Sequence, residues 1–504
     1  MRRLGFPALA FVTGGAVTVY EFAAPSLFRG WFGQTIYVWA NVIGVILFAL
    51  ALGYAAGGRL ADRTTTLVPL ALVLSFAGAY GLLVGWLGPA ACGWLAGPEE
   101  YTQDAAIRSF VAESLAACLF LFGPPLMALG MATPLLVQRA SSHWPVGRAA
   151  GVIFAVGTGG SIAGIYATTF LFVDWWGVRA TITSASGVLV LLGAAGLLAS
   201  RRRRGAAAVL LALAIAPFGV APPWDALPPE GAKLVAFRES PYQLVRVVDR
   251  PASDGGQRWL AFDEGLGTYH SMRVDGRGWT GAYYDAFAAV PDWLPGKGPL
   301  RVLILGNAAG TMSRFLQIHS GGRRIDIDGV EIDPRVTEVS RETMGLRDED
   351  HRRIVHGDGR AFLRACPEAS YDAIFLDAYA RQVSIPPALA TREFFELAKS
   401  RLREGGLLIC NIGALRPGGA LVKTLADTAA AGFQSDVALA PLEDLANVLL
   451  VAARGGPPPA PPSHIQLGAF ESFARHVPDK DGIVLTDDFC PVEAITARDL
   501  ELAG

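Results

Sequence analysis

Charge is scarce in this sequence: 17% of the 504 residues are Asp, Glu, Lys or Arg, against about a quarter in an ordinary soluble domain. With 52% hydrophobic residues and a mean hydropathy of +0.37, that shortage excludes a wholly soluble protein. A basic excess is missing as well. The 43 Lys and Arg are balanced by 45 Asp and Glu, so no cationic face can dominate and nucleic acid is excluded as a partner. Cysteine is rare, at five. Cys92 and Cys118 fall in apolar runs, and Cys366, Cys410 and Cys490 stand alone. None has metal-ligand spacing, so no metal is expected and all five read as small buried hydrophobes. Nor does a small-residue cleavage site follow Met1-Arg2-Arg3 and its apolar run, which marks a retained first helix rather than a removed signal peptide.

What is present instead is a set of seven uncharged windows, approximately 4–20, 34–58, 64–98, 114–138, 149–173, 180–200 and 205–224. A hydrocarbon core of about 30 Å takes about 20 helical residues, so the first six are expected to be membrane spans. The seventh is shorter and carries Pro217, Pro222 and Pro223; it spans, re-enters or lies in the interface. Gly157-Thr158-Gly159-Gly160 and Gly164 suit close helix–helix approach. Glu21, almost inside the first window, is a functional charge or one half of an interfacial pair with Arg29. Gly57-Gly58-Arg59-Leu60-Ala61-Asp62-Arg63 resembles a loop of major-facilitator transporters, and reads equally as a helix end followed by a positive loop.

After the Pro222-Pro223-Trp224 junction the pattern becomes that of a soluble domain. Residues 233–275 are rich in short strands, among them 244–248 and 259–262, separated by Gly- and Asp-rich turns. From Leu300 strands alternate with helices, which implies a parallel sheet: strands at 301–305, 325–331, 354–356, 371–377, 407–411 and 447–452. The expected architecture is a polytopic α-helical membrane domain (1–224), a small β-rich subdomain (225–294), an α/β Rossmann-like nucleotide-binding domain (295–455) and a C-terminal segment (456–504).

Open α/β sheets bind ligands at the carboxyl ends of their strands. There the sequence sets Gly306-Asn307-Ala308-Ala309-Gly310, a glycine-bracketed turn that lets backbone approach a ligand before a helix N-terminus. Glu331 ends the next strand, 21 residues after Gly310, and can accept both hydroxyls of a ribose. Asp358 follows the third strand and can accept from an adenine amino group, and Asp377 ends the fourth. Acids closing successive strands without a phosphate cradle specify an adenosine-bearing ligand such as S-adenosylmethionine.

Four stretches then resemble the successive motifs of spermidine synthases, in order and spacing: Glu239-Ser240-Pro241-Tyr242-Gln243, Val330-Glu331-Ile332-Asp333, Gly357-Asp358-Gly359-Arg360 and Tyr371-Asp372-Ala373-Ile374-Phe375-Leu376-Asp377. With the apolar half and the late Leu485-Thr486-Asp487-Asp488-Phe489-Cys490-Pro491-Val492-Glu493, the whole chain resembles bacterial membrane-fused spermidine synthase-like proteins. The resemblance implies a class I fold that binds S-adenosylmethionine or its decarboxylated form as co-substrate. It implies donor contacts from Gln243, Gly306, Gly310, Glu331, Asp333, Asp358 and Gly359, and acceptor chemistry from Asp377, Asp285 and Tyr379. The chain departs from the family pattern where an acid becomes Ala309, where another becomes Ala380, and where Tyr-His-Glu becomes Tyr283-Tyr284-Asp285. Asp285, Asp487 and Asp488 are the acids that could restore the lost charge.

Three functions stay open on these grounds. The first is aminopropyl transfer to an amine, and the second is methyl or other alkyl transfer to a membrane-associated acceptor. The third is a transporter or sensor with a degenerate synthase domain. Expected partners are the bilayer, a small amine or lipid-borne acceptor, and a second copy in a homodimer. Ten arginines (2, 3, 59, 63, 139, 148 and 201–204) fall on one side of the windows and three (29, 108 and 179) on the other, which puts the N-terminus in the cytoplasm. Seven spans would place the soluble half outside, away from a cytosolic donor. The expectation is therefore a multi-pass inner-membrane protein whose segment 205–224 does not cross and whose soluble domain is cytoplasmic.

Overall fold

The computed structural model describes residues 2–32, 36–64, 66–95, 106–199, 232–240, 242–250, 256–262, 269–274, 280–287, 289–294, 296, 298–348, 352–379, 385–414, 416–442, 447–461, 473–479 and 482–503. They form two compact units, one of long helices and one of strands with short helices. The window 205–224, with Pro217, Pro222 and Pro223, lies outside the described residues, as do Arg201 to Arg204, Ala380 and the side chains of Arg29 and Arg108.

The helical unit contains α1 (Arg2–Phe32), α2 (Ile36–Arg63), α3 (Val68–Leu95), α4 (Ala106–Leu121), α5 (Gly123–Ser141), α6 (Val146–Ala167) and α7 (Val173–Ala199), with a π turn (Thr168–Phe172) between the last two. Among the described residues, five segments are long and apolar enough to cross a membrane: Gly5–Phe28, Val38–Arg63, Val68–Leu95, Val146–Phe172 and Trp175–Leu198. The fourth window, expected to be a membrane span, is a bent pair, Ala112–Leu121 and Gly123–Ser141, angled by 49°. Pro124 and Pro125 open the second half of that pair; without N–H groups they cannot continue the hydrogen-bond ladder of the first. The stretch 57–63 is not a loop but the last turns of α2.

The helices pack mainly in pairs, α1 on α6, α2 on α5 and α3 on α7. Close approach explains their glycines. A Cβ at Gly14 would strike the Gly157 carbonyl, one at Gly160 the Phe11 carbonyl, and one at Gly53 the Met127 carbonyl. Across the first pair, Thr18 Oγ1 donates to the Ser161 carbonyl at 2.9 Å, the kind of polar tie that helps helices associate in an apolar medium.

The second unit holds two sheets. The smaller contains β1 (Lys233–Glu239), β2 (Leu244–Arg250), β3 (Gln257–Ala261) and β4 (Ser271–Val274), in that order. The larger contains β5 (Leu300–Leu305), β6 (Ile325–Glu331), β7 (Arg352–His356), β8 (Tyr371–Leu376), β9 (Leu402–Gly413), β10 (Val437–Leu442), β11 (Asn447–Ala453) and β12 (Ala474–His476), in the order β12-β10-β11-β9-β8-β5-β6-β7. Its helices are α8 (Thr311–Ile318), α9 (Pro334–Val339), α10 (Gly359–Ala365), α11 (Arg392–Arg401), α12 (Ala420–Phe433) and α13 (Val492–Ala503). Apart from the exposed Arg301, β5 is apolar because both its faces are covered. Leu303 and Leu305 pack with Phe394, Phe395 and Leu425, while Val302 and Ile304 pack with Phe287, Met312 and Leu316.

The sheet is mixed rather than parallel throughout. β5 to β9 are parallel, and β11, β10 and β12 extend it antiparallel. Register matters for the site: Leu305 stands opposite both Val330 and Leu376. Gly306, Glu331 and Asp377 therefore leave the sheet side by side. Gly306 N–H and Asn307 N–H donate to the Val330 carbonyl and Asp377 N–H to that of Leu305.

Candidate active site

The turn after β5 is left-handed at Gly306 (φ +91°), Ala308 (φ +43°) and Gly310 (φ +72°). A Cβ at Gly306 would also collide with the Asp377 carbonyl, so only glycine brings the two loops this close. The curl turns the Ala308 N–H to Glu331 Oε2 at 2.9 Å, and Glu331 Oε1 accepts from Asp333 N–H at 3.1 Å. Burial pushes the Glu331 carboxyl up to about 7, against the pull of those two amides. An ionised carboxylate offers about four acceptor positions. Two are taken, so the pair of hydroxyls of a ribose fits the remainder.

The neighbouring acids are helix caps. Asp333 is fully buried and accepts from Arg335 N–H at 2.9 Å, opening α9. Asp358 accepts from Ala361 N–H at 2.8 Å, opening α10 at Gly359, and is itself exposed. Ser271 of β4 accepts from Ala309 N–H at 3.2 Å and shares a 2.7 Å hydroxyl bond with Thr311, pinning the turn to the small sheet. The Ala309 methyl lies in an apolar cluster with Val245, Val247, Leu260 and Val336.

Beside this, Asp377 receives the Tyr283 hydroxyl on Oδ2 at 2.9 Å and the Asn411 amide on Oδ1 at 2.9 Å. Burial among these groups raises its carboxyl to about 6, while the two donors pull it down. The Tyr379 hydroxyl donates to the Asn411 carbonyl and accepts from Gly413 N–H at 2.9 Å. No Lys or Arg is bonded to Asp377 among the described residues. The arrangement can hold a proton acceptor ionised near neutrality, within reach of whatever the Gly306 turn positions.

Several expected residues are committed elsewhere. Asp285 takes Thr280 N–H and Thr280 Oγ1 on Oδ1, at 2.9 and 2.6 Å, and Gly281 N–H on Oδ2 at 2.8 Å; both oxygens serve its own turn. The main chain of Gln243 closes a turn with Ser240: its carbonyl accepts from Ser240 N–H at 3.0 Å, and its N–H donates to Ser240 Oγ at 3.0 Å. Asp487 is held by both terminal nitrogens of Arg360 at 2.7 Å, which offsets its charge. Asp488 is exposed. Sequence reasoning missed Asn411, Asn447, Ser271 and Thr311. Asn411 alone left a trace, as a polar residue closing an apolar strand.

An α/β sheet whose carboxyl ends carry a glycine-bracketed turn, a buried glutamate and a second, half-buried acid defines a Rossmann-like domain with its site at the strand ends. The sequence comparison narrows this class: residues 282–439 match the spermine/spermidine synthase domain, so the C-terminal part of the chain carries such a domain. The chain is 27% identical over 432 residues to polyamine aminopropyltransferase 2 of Streptomyces coelicolor, covering 80% of this chain and 72% of that protein. It is 32% identical over 164 residues to a probable polyamine aminopropyl transferase of Bifidobacterium longum, covering 32% of this chain and 35% of the relative. It thus spans about a third of that relative's length. Among solved structures, a probable spermidine synthase from Corynebacterium glutamicum superimposes with a TM-score of 0.37 at 23% identity, over 44% of this chain and 80% of the other.

Proposed function

We propose that this chain is a membrane-attached transferase that moves the aminopropyl group of decarboxylated S-adenosylmethionine onto an amine. In that reaction the amine lone pair forms a C–N bond to the carbon next to sulfur. The C–S bond breaks, its electron pair stays on sulfur, and a neutral thioether leaves while the amine loses a proton. The nitrogen must be unprotonated to attack, so the site needs a proton acceptor. Asp377 carries the reading: a carboxylate with a donor on each oxygen and no bonded Lys or Arg among the described residues. Glu331 and the Gly306 turn suit the ribose of the donor, and the names of the relatives favour aminopropyl transfer over other alkyl transfers.

One observation favours a second reading, methyl or other alkyl transfer from S-adenosylmethionine to a less cationic, lipid-borne acceptor. Position 309, where the resembling synthases carry an acid, holds an alanine whose methyl sits in an apolar cluster. Full-length purified protein given donor labelled in the aminopropyl carbons, or in the methyl carbon, with a panel of amines and lipids separates the two by which label enters product. Donor binding without transfer of either label would replace both with a sensor.

The reading puts the helical unit across the inner membrane and the sheets in the cytoplasm, where the donor is made. It is supported by the five apolar helices and the bent pair, which together give up to six crossings. An even number returns the chain to the side of its N-terminus, the side favoured by the arginine count.

A further inference from the structure

Asp377 ends a chain of side-chain hydrogen bonds that crosses three strands. Asn411, on β9, gives its amide N–H to Asp377 Oδ1 at 2.9 Å, and Asn447, on β11, gives its own to Asn411 Oδ1 at 2.9 Å. Asn411 is 2% exposed, and its backbone carbonyl is held by the Tyr379 hydroxyl. Neither its main chain nor its side chain is free to swing.

An asparagine amide can present a donor or an acceptor to a neighbour, and its other end fixes the choice. With Asn447 donating to Oδ1, only Nδ2 of Asn411 is left for Asp377. A carboxyl that meets an N–H is favoured in its ionised form; one that meets a carbonyl must carry the proton itself. We propose that Asn447, acting through Asn411, is a positioning residue that keeps Asp377 in its proton-accepting form. Its catalytic meaning rests on the transferase reading, whereas the linkage itself is a property of the fold.

The titratable groups facing Asp377 are Tyr283 and Tyr284 from the turn before β5, Tyr379 from the loop after β8, and Cys410 from β9. Burial lifts all four well above their ordinary values, and the Asp377 charge adds to the lift. They stay neutral around pH 6. Glu331, at the end of β6, titrates near 7 and has to be told apart from Asp377.

Carboxyl infrared spectra of the full-length protein, recorded against pH, make the test, with Asp377→Asn identifying the Asp377 band. Two variants remove the Asn447 donor: Asn447→Ala, and Asn447→Leu, which keeps the branched shape and the number of side-chain heavy atoms. Both should move the midpoint of the Asp377 band up by about one unit, and the acid limb of kcat by the same amount, with KM for the donor unchanged. A midpoint that stays put in a folded Asn447→Leu protein would overturn the proposal even if turnover falls, because that fall would then be structural. A shifted midpoint in a protein without transfer activity would leave the linkage standing and remove the transferase reading.

Discussion

The Tyr283 hydroxyl donates to Asp377 Oδ2 across 2.9 Å, tying the turn before β5 to the carboxyl end of β8. A hydrogen bond to a charged group contributes about 1.5–3 kcal/mol. Tyr283→Phe removes that donor while keeping the ring against Tyr284, whose centroid lies 4.1 Å away. The Asp377 carboxyl should then titrate above its present value of about 6. If Asp377 is the base, it works only when ionised, so turnover should fall roughly two- to fifteen-fold near pH 7 and recover in part at alkaline pH. A kcat–pH profile that keeps its acid limb in place would show that the hydroxyl does not bear on Asp377.

The same burial predicts an effect on stability. Asp377 has a raised carboxyl value in the folded chain, about 6, against about 3.9 when unfolded. Its contribution is therefore fully present below the unfolded value and is lost as pH rises through the folded one. Asp377→Asn, which has no charge to bury, should abolish transfer and raise the thermal midpoint by a few degrees at alkaline pH. The gain should shrink to nothing in acid. Scanning calorimetry at several pH values checks this, and a midpoint lowered at every pH would show the carboxylate to be a structural support.

Glu331 is the residue proposed to hold the donor ribose. Its carboxyl, pushed up to about 7 by burial, accepts ribose hydroxyls best when ionised. Affinity for S-adenosylmethionine or its decarboxylated form should therefore weaken as pH falls through 7. Glu331→Ala leaves two hydroxyls without partners and should cost about 1–3 kcal/mol of binding, roughly 5- to 150-fold in Kd. Titration calorimetry at pH values on either side of 7 is the measurement; equal affinities in wild type and variant would remove Glu331 from the donor site.

Much of this was legible in the chain because strand alternation and strand-end acids are local signals. Glu331 and Asp377 end β6 and β8 as the apolar runs indicate, and register alone brings them together. What was not legible depends on contacts between distant residues. Asp285 follows two tyrosines as a family acid would, yet its oxygens are taken by Thr280 and Gly281. Asn447 stands 36 positions from Asn411, and no local pattern links them. β10, Val-Ala-Leu-Ala-Pro-Leu, contains a proline and one β-branched residue, so it reads poorly as a strand. It forms because β11 and β12 pair with it.

The Arg360–Asp487 pair offers a test of the C-terminal segment. Arg360 also donates to the Ala388 carbonyl at 3.0 Å, and Thr391 Oγ1 donates to Asp487 at 2.8 Å, so one guanidinium joins α10 to residues 388 and 487. The bond to Arg360 holds the Asp487 carboxyl below its ordinary value. Its stabilisation is thus present above the unfolded value and lost as pH falls through the folded one. With 47% of the Asp487 side chain exposed, solvent screening keeps the effect under about 1 kcal/mol. Asp487→Asn should speed hydrogen exchange in residues 485–491 and barely move the global melting midpoint. Unaltered local exchange would show that the segment is held by Leu485 and Val492 instead.

The side of the membrane decides whether cytosolic donor can reach the site at all. Among the described residues, five apolar helices and one bent pair would give six crossings if that pair spans, and five if it turns back. With a cytoplasmic N-terminus, six crossings followed by a segment 205–224 that stays on one face leave the sheets in the cytoplasm. Four consecutive arginines, Arg201 to Arg204, favour that face, because cationic loops are retained inside. A reporter active only in the cytoplasm, fused after Gly504, should be active, and one active only outside should be silent. A second pair of fusions after Ser142, in the loop between α5 and α6, checks the bent pair separately. The count puts that position inside if the pair crosses and outside if it re-enters. External activity at Gly504 would put the acids of the site out of reach of a cytosolic donor and remove the transferase reading in its present form.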